Sequence, residues 1–85
     1  ILVGVNFTGA NLCNASLVKA DLRNAILNNA NLYDADLSGS NLRGASLIGS
    51  NLGKALMQGA VYDESTKWPN EFNPDVHGAE LSGID

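Results

Sequence analysis

The side chains able to do chemistry are few, and their spacing keeps them apart. His77 is the single histidine and Cys13 the single cysteine of an 85-residue chain. A cysteine nucleophile requires a base within hydrogen-bond reach, and these two residues lie in segments of different character. One imidazole and one thiol also fall short of the several ligands that a zinc or other transition-metal site draws upon. A lone thiol excludes an intramolecular disulfide as well. Asp34 and Asp36 stand two apart, yet without a cleft to raise one pKa they make no acid/base couple. Most glycines recur at one position of a repeat and lack the Lys-Ser/Thr signature of a phosphate loop. The sequence therefore predicts no catalytic residue, no cofactor, no metal ligand and no enzyme. What remains is a set of outward departures from the repeat, Arg23, Arg43, Tyr33, Ile26 and Ile48, which form the candidate partner surface.

The pattern that must position them runs from Val5 to about Tyr62, a unit of roughly Ala-(Asn/Asp)-Leu-x-x recurring every fifth residue without insertion or deletion. Five is an awkward period for regular structure. An α-helix turns about 100° per residue, so a leucine at every fifth position drifts around the cylinder. In a straight strand, residues five apart face opposite sides. The conflict disappears if each unit is a short extended piece followed by a turn, so that the chain winds into a coil with two inward positions per unit.

The central inward column reads from Leu2, Phe7 and Leu12 through to Leu52, Met57 and Tyr62 and is apolar throughout. The second, from Val5 and Ala10 to Ala60, holds nothing larger than valine. A narrow tube has room for one large side chain per face and only a methyl or hydroxyl beside it. The last residue of each unit is Gly, Asn or Asp except at Lys19 and Lys54. Those three types tolerate positive φ at the third position of a type II turn. The two lysines are accordingly expected to mark corners with a different turn.

Runs such as Ala30-Asn31-Leu32-Tyr33-Asp34-Ala35-Asp36-Leu37 and Ser40-Asn41-Leu42-Arg43-Gly44-Ala45 resemble the pentapeptide-repeat family over residues 1–62. The resemblance implies an all-β fold, a right-handed quadrilateral β-helix of about three coils. Residues twenty apart would then stack about 4.8 Å apart in the hydrogen-bonding direction. Residues 63–85 form a second region, an irregular C-terminal cap. Its Val61-Tyr62-Asp63-Glu64-Ser65-Thr66-Lys67-Trp68-Pro69 run resembles the closing segment of members from photosynthetic lineages. Trp68 and Phe72 are the expected lids over Leu47, Leu52, Met57 and Tyr62, and Pro69 and Pro74 are expected to stop strand pairing. Pro74–His77 fits one short helical turn with Asn73 as N-cap. Gly78–Gly83 resumes the unit one residue out of register.

Charge divides the chain at the same boundary. Residues 1–62 carry Asp21, Asp34 and Asp36 against Lys19, Arg23, Arg43 and Lys54, a net +1. From Asp63 onward six acids face only Lys67, a net −5. No basic tail marks a nucleic-acid partner, and no apolar run approaches a membrane span. The chain begins at Ile1, already in repeat register, so a targeting signal is expected to lie upstream if there is one. Localisation reads as soluble, in the cytoplasm, or in a thylakoid lumen or periplasm if such a signal exists.

Stacking at twenty residues predicts surface columns. Asn11, Asn31 and Asn51 align as an amide ladder, and Tyr33 lies between Cys13 and Gly53. Arg23 and Arg43 stack, with Asp21 and Asp63 as charge compensation or with an anion or acidic partner between them. Ile26 and Ile48 share a face. The function these columns support is a non-enzymatic scaffold that binds another protein, with a homodimer through a coil end left open. The resemblance supplies an alternative, because some family members modulate DNA gyrase by mimicking a duplex with a long acidic rod. The near-neutral body and short length argue against it.

Overall fold

The computed structural model describes residues 1–82. Parallel bridges link Asn6 to Ile26, Asn11 to Asn31, Ser16 to Asp36, Asp21 to Asn41, and so on to Asn41 with Val61, each twenty residues apart. Units of five pairing at twenty place four units in each turn of the coil, giving four faces. Most rungs are single bridges rather than long strands. A unit gives only two or three residues to the ladder before it turns.

The turn is the same in every unit. The N–H of the fourth residue closes on the carbonyl of the first, from Val5 N to Leu2 O at 3.1 Å through Ala30 N to Leu27 O at 3.1 Å to Ala60 N to Met57 O at 3.0 Å. The third residue carries the positive φ, 73° at Gly4 and 61° at Asn29. Lys19 and Lys54 follow suit with φ of 60° and 55°, so they do not mark a different corner. The closing bonds Ala20 N to Leu17 O and Ala55 N to Leu52 O are intact around them. The ladder holds the backbone there whatever side chain is present, and lysine carries the strain of a left-handed residue.

Every backbone N–H in a standard unit has a partner, which explains the unit's composition. In Ala30–Ala35, Asn31 N donates to Ala10 O of the coil before, Leu32 N to Asn51 O and Asp34 N to Gly53 O of the coil after, and Ala35 N closes the turn on Leu32 O. Tyr33 N alone is left out of this scheme, and it donates to the side-chain Oδ1 of Asn31 at 3.1 Å. A backbone donor without a partner is costly, so Asn or Asp ahead of the leucine is a hydrogen-bonding requirement. The same bond recurs from Cys13 N to Asn11, Ser38 N to Asp36, Arg43 N to Asn41 and Gly53 N to Asn51. The predicted amide ladder is thus a column of local caps, each amide oxygen turned onto its own unit.

Leu22, Leu27, Leu32, Leu37, Leu42 and Leu47 are fully buried, alternating with Ala25, Ala30, Ala35, Ser40 and Ala45. At the N-terminal end Leu2, Phe7, Leu12 and Leu17 are partly buried against this core.

The register changes after Tyr62. Asp63–Thr66 forms a turn of its own, with Thr66 N on Asp63 O and Thr66 Oγ1 donating to Leu42 O at 2.8 Å. One extra residue enters, and Lys67 pairs with Ser46 at a separation of twenty-one. Buried Thr66 takes the place of the small inward residue, and Trp68 takes the place of the leucine, each one residue late. After the 3₁₀ turn Pro74–His77, capped by Asn73 Oδ1 on Asp75 N and by left-handed Gly78, the parallel pair β1 (Val61–Tyr62) with β2 (Glu80–Leu81) re-forms the ladder. Ala79 is buried in register with it. The prolines therefore interrupt pairing only between Lys67 and Gly78 and do not end it. Gly83, the last residue of the predicted resumption, lies outside the described residues.

Candidate functional site

The twenty-residue ladder distributes the candidate surface residues over three consecutive faces. Arg23 and Arg43 follow Leu22 and Leu42 on one face. Ile26 and Ile48 flank the next, and Tyr33 stands on the third. They do not converge on one site. Ile48 is 49% exposed, whereas Ile26 is half-buried in the column between Asn6 and Ser46. Asn28 on this face reaches down a coil, its Oδ1 accepting both Ile48 N at 3.1 Å and Ser46 Oγ at 2.6 Å. The Tyr33 ring lies over Gly53, close enough that a methyl group there would meet Tyr33 Cδ1 at 2.8 Å. Cys13, at the head of that column, is exposed, and its Sγ accepts from Asn14 Nδ2 at 3.5 Å.

The arginine face holds a shallow depression of about 280 Å³ lined by Arg23, Asn24, Arg43, Gly44, Asp63 and Ser65. Arg23 is engaged bidentately, Nε with Asp21 Oδ1 at 2.8 Å and Nη2 with Asp21 Oδ2 at 2.7 Å. This pairing, through its side-chain hydrogen bonds first, holds the Asp21 carboxyl below the usual range and raises the Arg23 guanidinium. Asp63 is not the partner of Arg43. Its Oδ1 accepts Gly44 N at 3.1 Å and Ser65 N at 2.9 Å and is tied into the turn that shifts the register. Arg43 instead donates through Nε and Nη2 to the Ser82 hydroxyl and joins no ion pair among the described residues. The compensation expected from Asp21 is present and that expected from Asp63 is replaced by a neutral acceptor.

Beneath the last coil runs an aromatic series. Trp68 meets Tyr62 edge-on at 5.4 Å, stacks with Phe72 at 5.3 Å, and Phe72 stacks with His77 at 4.7 Å. Tyr62 Oη donates to Asp75 Oδ1 at 2.6 Å, and this bond, then burial, raises the phenol above its ordinary range. His77 is thereby placed against a phenyl ring, far along the coil axis from Cys13. Among the described residues no group of three or more His, Cys, Asp or Glu side chains is placed to hold a metal ion. No helix among them is long and apolar enough to cross a membrane.

The recurring unit now has a family counterpart. A family model that describes pentapeptide repeats in blocks of eight copies matches residues 1–29 and 25–61. The chain belongs to the pentapeptide-repeat family. Solved structures agree. A pentapeptide repeat protein, Rfr23, from the cyanobacterium Cyanothece 51142 is 44% identical over 74% of this chain, with a TM-score of 0.73. A pentapeptide repeat protein from Nostoc Pcc 7120 is 34% identical over 95% of this chain and 75% of its own, with a TM-score of 0.61. This pentapeptide-repeat chain spans 43% of the length of the Cyanothece protein. No protein of curated function matches it. The family fold is the right-handed quadrilateral β-helix, and the chain is a structural repeat protein. Sequence reasoning missed the side-chain caps and the Ser82 contact. The caps had a signal in the Asn/Asp column, whereas the Ser82 contact depends on a register shift that no periodicity announces.

Proposed function

We propose that this pentapeptide-repeat chain is a non-enzymatic scaffold that holds a partner protein on its outward faces. In this reading residues 1–62 build about three coils, and the segment from Asp63, with Trp68 and Phe72 against the core, serves as their cap. The observation that carries it is the ladder itself. Successive coils bring side chains into fixed outward columns, and the polar residues of the unit are spent on holding the backbone. Arg43, Ile48 and Tyr33 are left to present surface chemistry. A rigid face bearing a few large or charged residues is suited to protein recognition, where such anchors carry most of the energy.

The test is capture from the source cell with the full-length protein as bait, compared with Ile48→Asp and Arg43→Ala variants that melt like wild type. Loss of a captured protein with either variant supports the reading, and retention with both sinks it. The duplex-mimic alternative is checked in a gyrase supercoiling assay. Inhibition at stoichiometric concentration would overturn the ordering, since the near-neutral body predicts none.

A further inference from the structure

The last coil is covered unevenly. On its first two faces, residues 61–67 and 80–82 take up the ladder, with Leu42 N on Val61 O, Leu47 N on Lys67 O and Ser82 N on Tyr62 O. On the third face no described residue does so. In the coil above, Asn51 gives its N–H to Ala30 O and its carbonyl to Leu32 N, and Gly53 gives its carbonyl to Asp34 N. The equivalent groups one coil down are Ser50 O, Leu52 N and Lys54 N, and they find no backbone partner among the described residues. Pro69 has no N–H to offer, and the loop that follows stands off from the edge, with Glu71 at a φ of 65°. Between edge and loop lies a groove of about 450 Å³, lined by Ser50, Leu52, Gly53 and Lys54 above and by Phe72 and His77 on the far wall. Leu52, at 8%, is less completely buried than Leu32 above it, at 0%.

We propose that this groove is a docking site for an extended segment of a partner protein, which adds the missing rung by main-chain pairing. An acceptor and two donors in ladder register select extended backbone, since no side chain or small anion satisfies all three at that spacing. One residue of the segment donates to Ser50 O and accepts from Leu52 N. The residue two further on accepts from Lys54 N. The side chain between them points inward, where Phe72 already packs against the core, so it is Gly, Ala or Ser. Lys54 and Glu71 flank the groove with opposite charges, and the recognition rests on backbone and side-chain size. This edge is separate from the outward columns of the scaffold reading and stands or falls without it.

The test uses the full chain and backbone amide exchange, with the acetylated and amidated peptide Ser-Asn-Ala-Arg-Gly-Ala-Ser as probe. This is the chain's own unit with alanine at the inward position. In the free protein the Leu52 and Lys54 amides exchange at least about 100-fold faster than those of Leu32 and Asp34. Millimolar peptide slows both by about tenfold or more, and the same peptide N-methylated at its asparagine does not. Equal protection in the free protein, no slowing with peptide, or equal slowing with the methylated peptide overturns the proposal. Protection that appears on concentrating the protein alone also overturns it, in favour of a second copy as occupant.

Discussion

The side-chain oxygen of Asn31 accepts the Tyr33 N–H at 3.1 Å, and it supplies the one hydrogen bond in its unit that the backbone ladder cannot. An asparagine that looks like surface decoration is thus part of the wall. In units with Asn or Asp ahead of the leucine, the residue after the leucine, at the crown of the turn, is free to be anything because its N–H is provided for by the residue two before it.

Replacing that oxygen tests the point. Asn31→Ala should cost about 1 kcal/mol in denaturant unfolding, in the range of a lost side-chain to backbone bond. Asn31→Asp, which keeps an acceptor, should stay within about 0.5 kcal/mol of wild type. An alanine variant as stable as wild type would show that water serves the Tyr33 N–H equally well.

Lys19 offers a gain rather than a loss. Its φ of 60° is a conformation that glycine adopts without strain. Lys19→Gly should stabilise by about 0.5–1 kcal/mol, with the larger entropy of glycine in the unfolded chain offsetting part of the relief. Lys19→Pro, locked at negative φ, should unfold the first two coils. A glycine variant that melts lower would mean that the lysine stem packs usefully along Gly39, whose added Cβ would meet Lys19 Cγ at 3.2 Å.

The body of the fold was legible in the sequence because each constraint is local and repeats. Leucine in one column, small residues in the next and Gly, Asn or Asp at the turn each answer one steric demand. The end was less legible for the opposite reason. Thr66 and Trp68 stand in for Ala and Leu one residue late, after an insertion that only the Asp63–Thr66 turn explains. Glu80 then regains pairing with Val61 at a separation of nineteen. Of the candidate surface, the Asp21 and Arg23 pair could be read from a spacing of two. The Arg43 contact with Ser82 joins residues thirty-nine apart, across that shift.

Two serines in the small-residue column separate a buried hydroxyl with a partner from one without. Ser50 Oγ donates to Leu47 O at 2.9 Å, whereas Ser40 Oγ, fully buried, has no hydrogen-bond partner among the described residues. Ser40→Ala should therefore stabilise by about 1 kcal/mol, and Ser50→Ala should be neutral or mildly destabilising. Calorimetric melts of the pair check this, and a lower melting temperature for Ser40→Ala would reveal a bond to a trapped water.

The inward column makes a sharper contrast. Leu32 is fully buried, and Leu81 is 56% exposed. Leu32→Asp should abolish cooperative unfolding, since a charge would enter a tube without room or partner. Leu81→Asp should cost less than about 0.5 kcal/mol. A near-wild-type melt for Leu32→Asp would remove the basis of the inward assignment.

Stability at alkaline pH depends on Tyr62. The hydrogen bond to Asp75, assisted by burial, raises its phenol above the ordinary value of 10.0, so the folded chain holds that proton more tightly than the unfolded one. A raised pKa contributes stability that is complete below the unfolded value and is lost as pH rises through the folded one. Melting temperature should therefore fall as Tyr62 ionises, because a phenolate beside the Asp75 carboxylate sets two negative charges together where Trp68 packs edge-on. Tyr62→Phe should lower stability at neutral pH by about 1 kcal/mol, the scale of one side-chain hydrogen bond. It should also flatten the alkaline limb between about pH 9 and about pH 12, leaving Tyr33 as the remaining tyrosine. Melts across that range, read with phenolate absorbance, decide the matter. If the phenylalanine variant keeps the full alkaline drop, the Tyr62–Asp75 bond does not govern how the C-terminal segment holds to the coil.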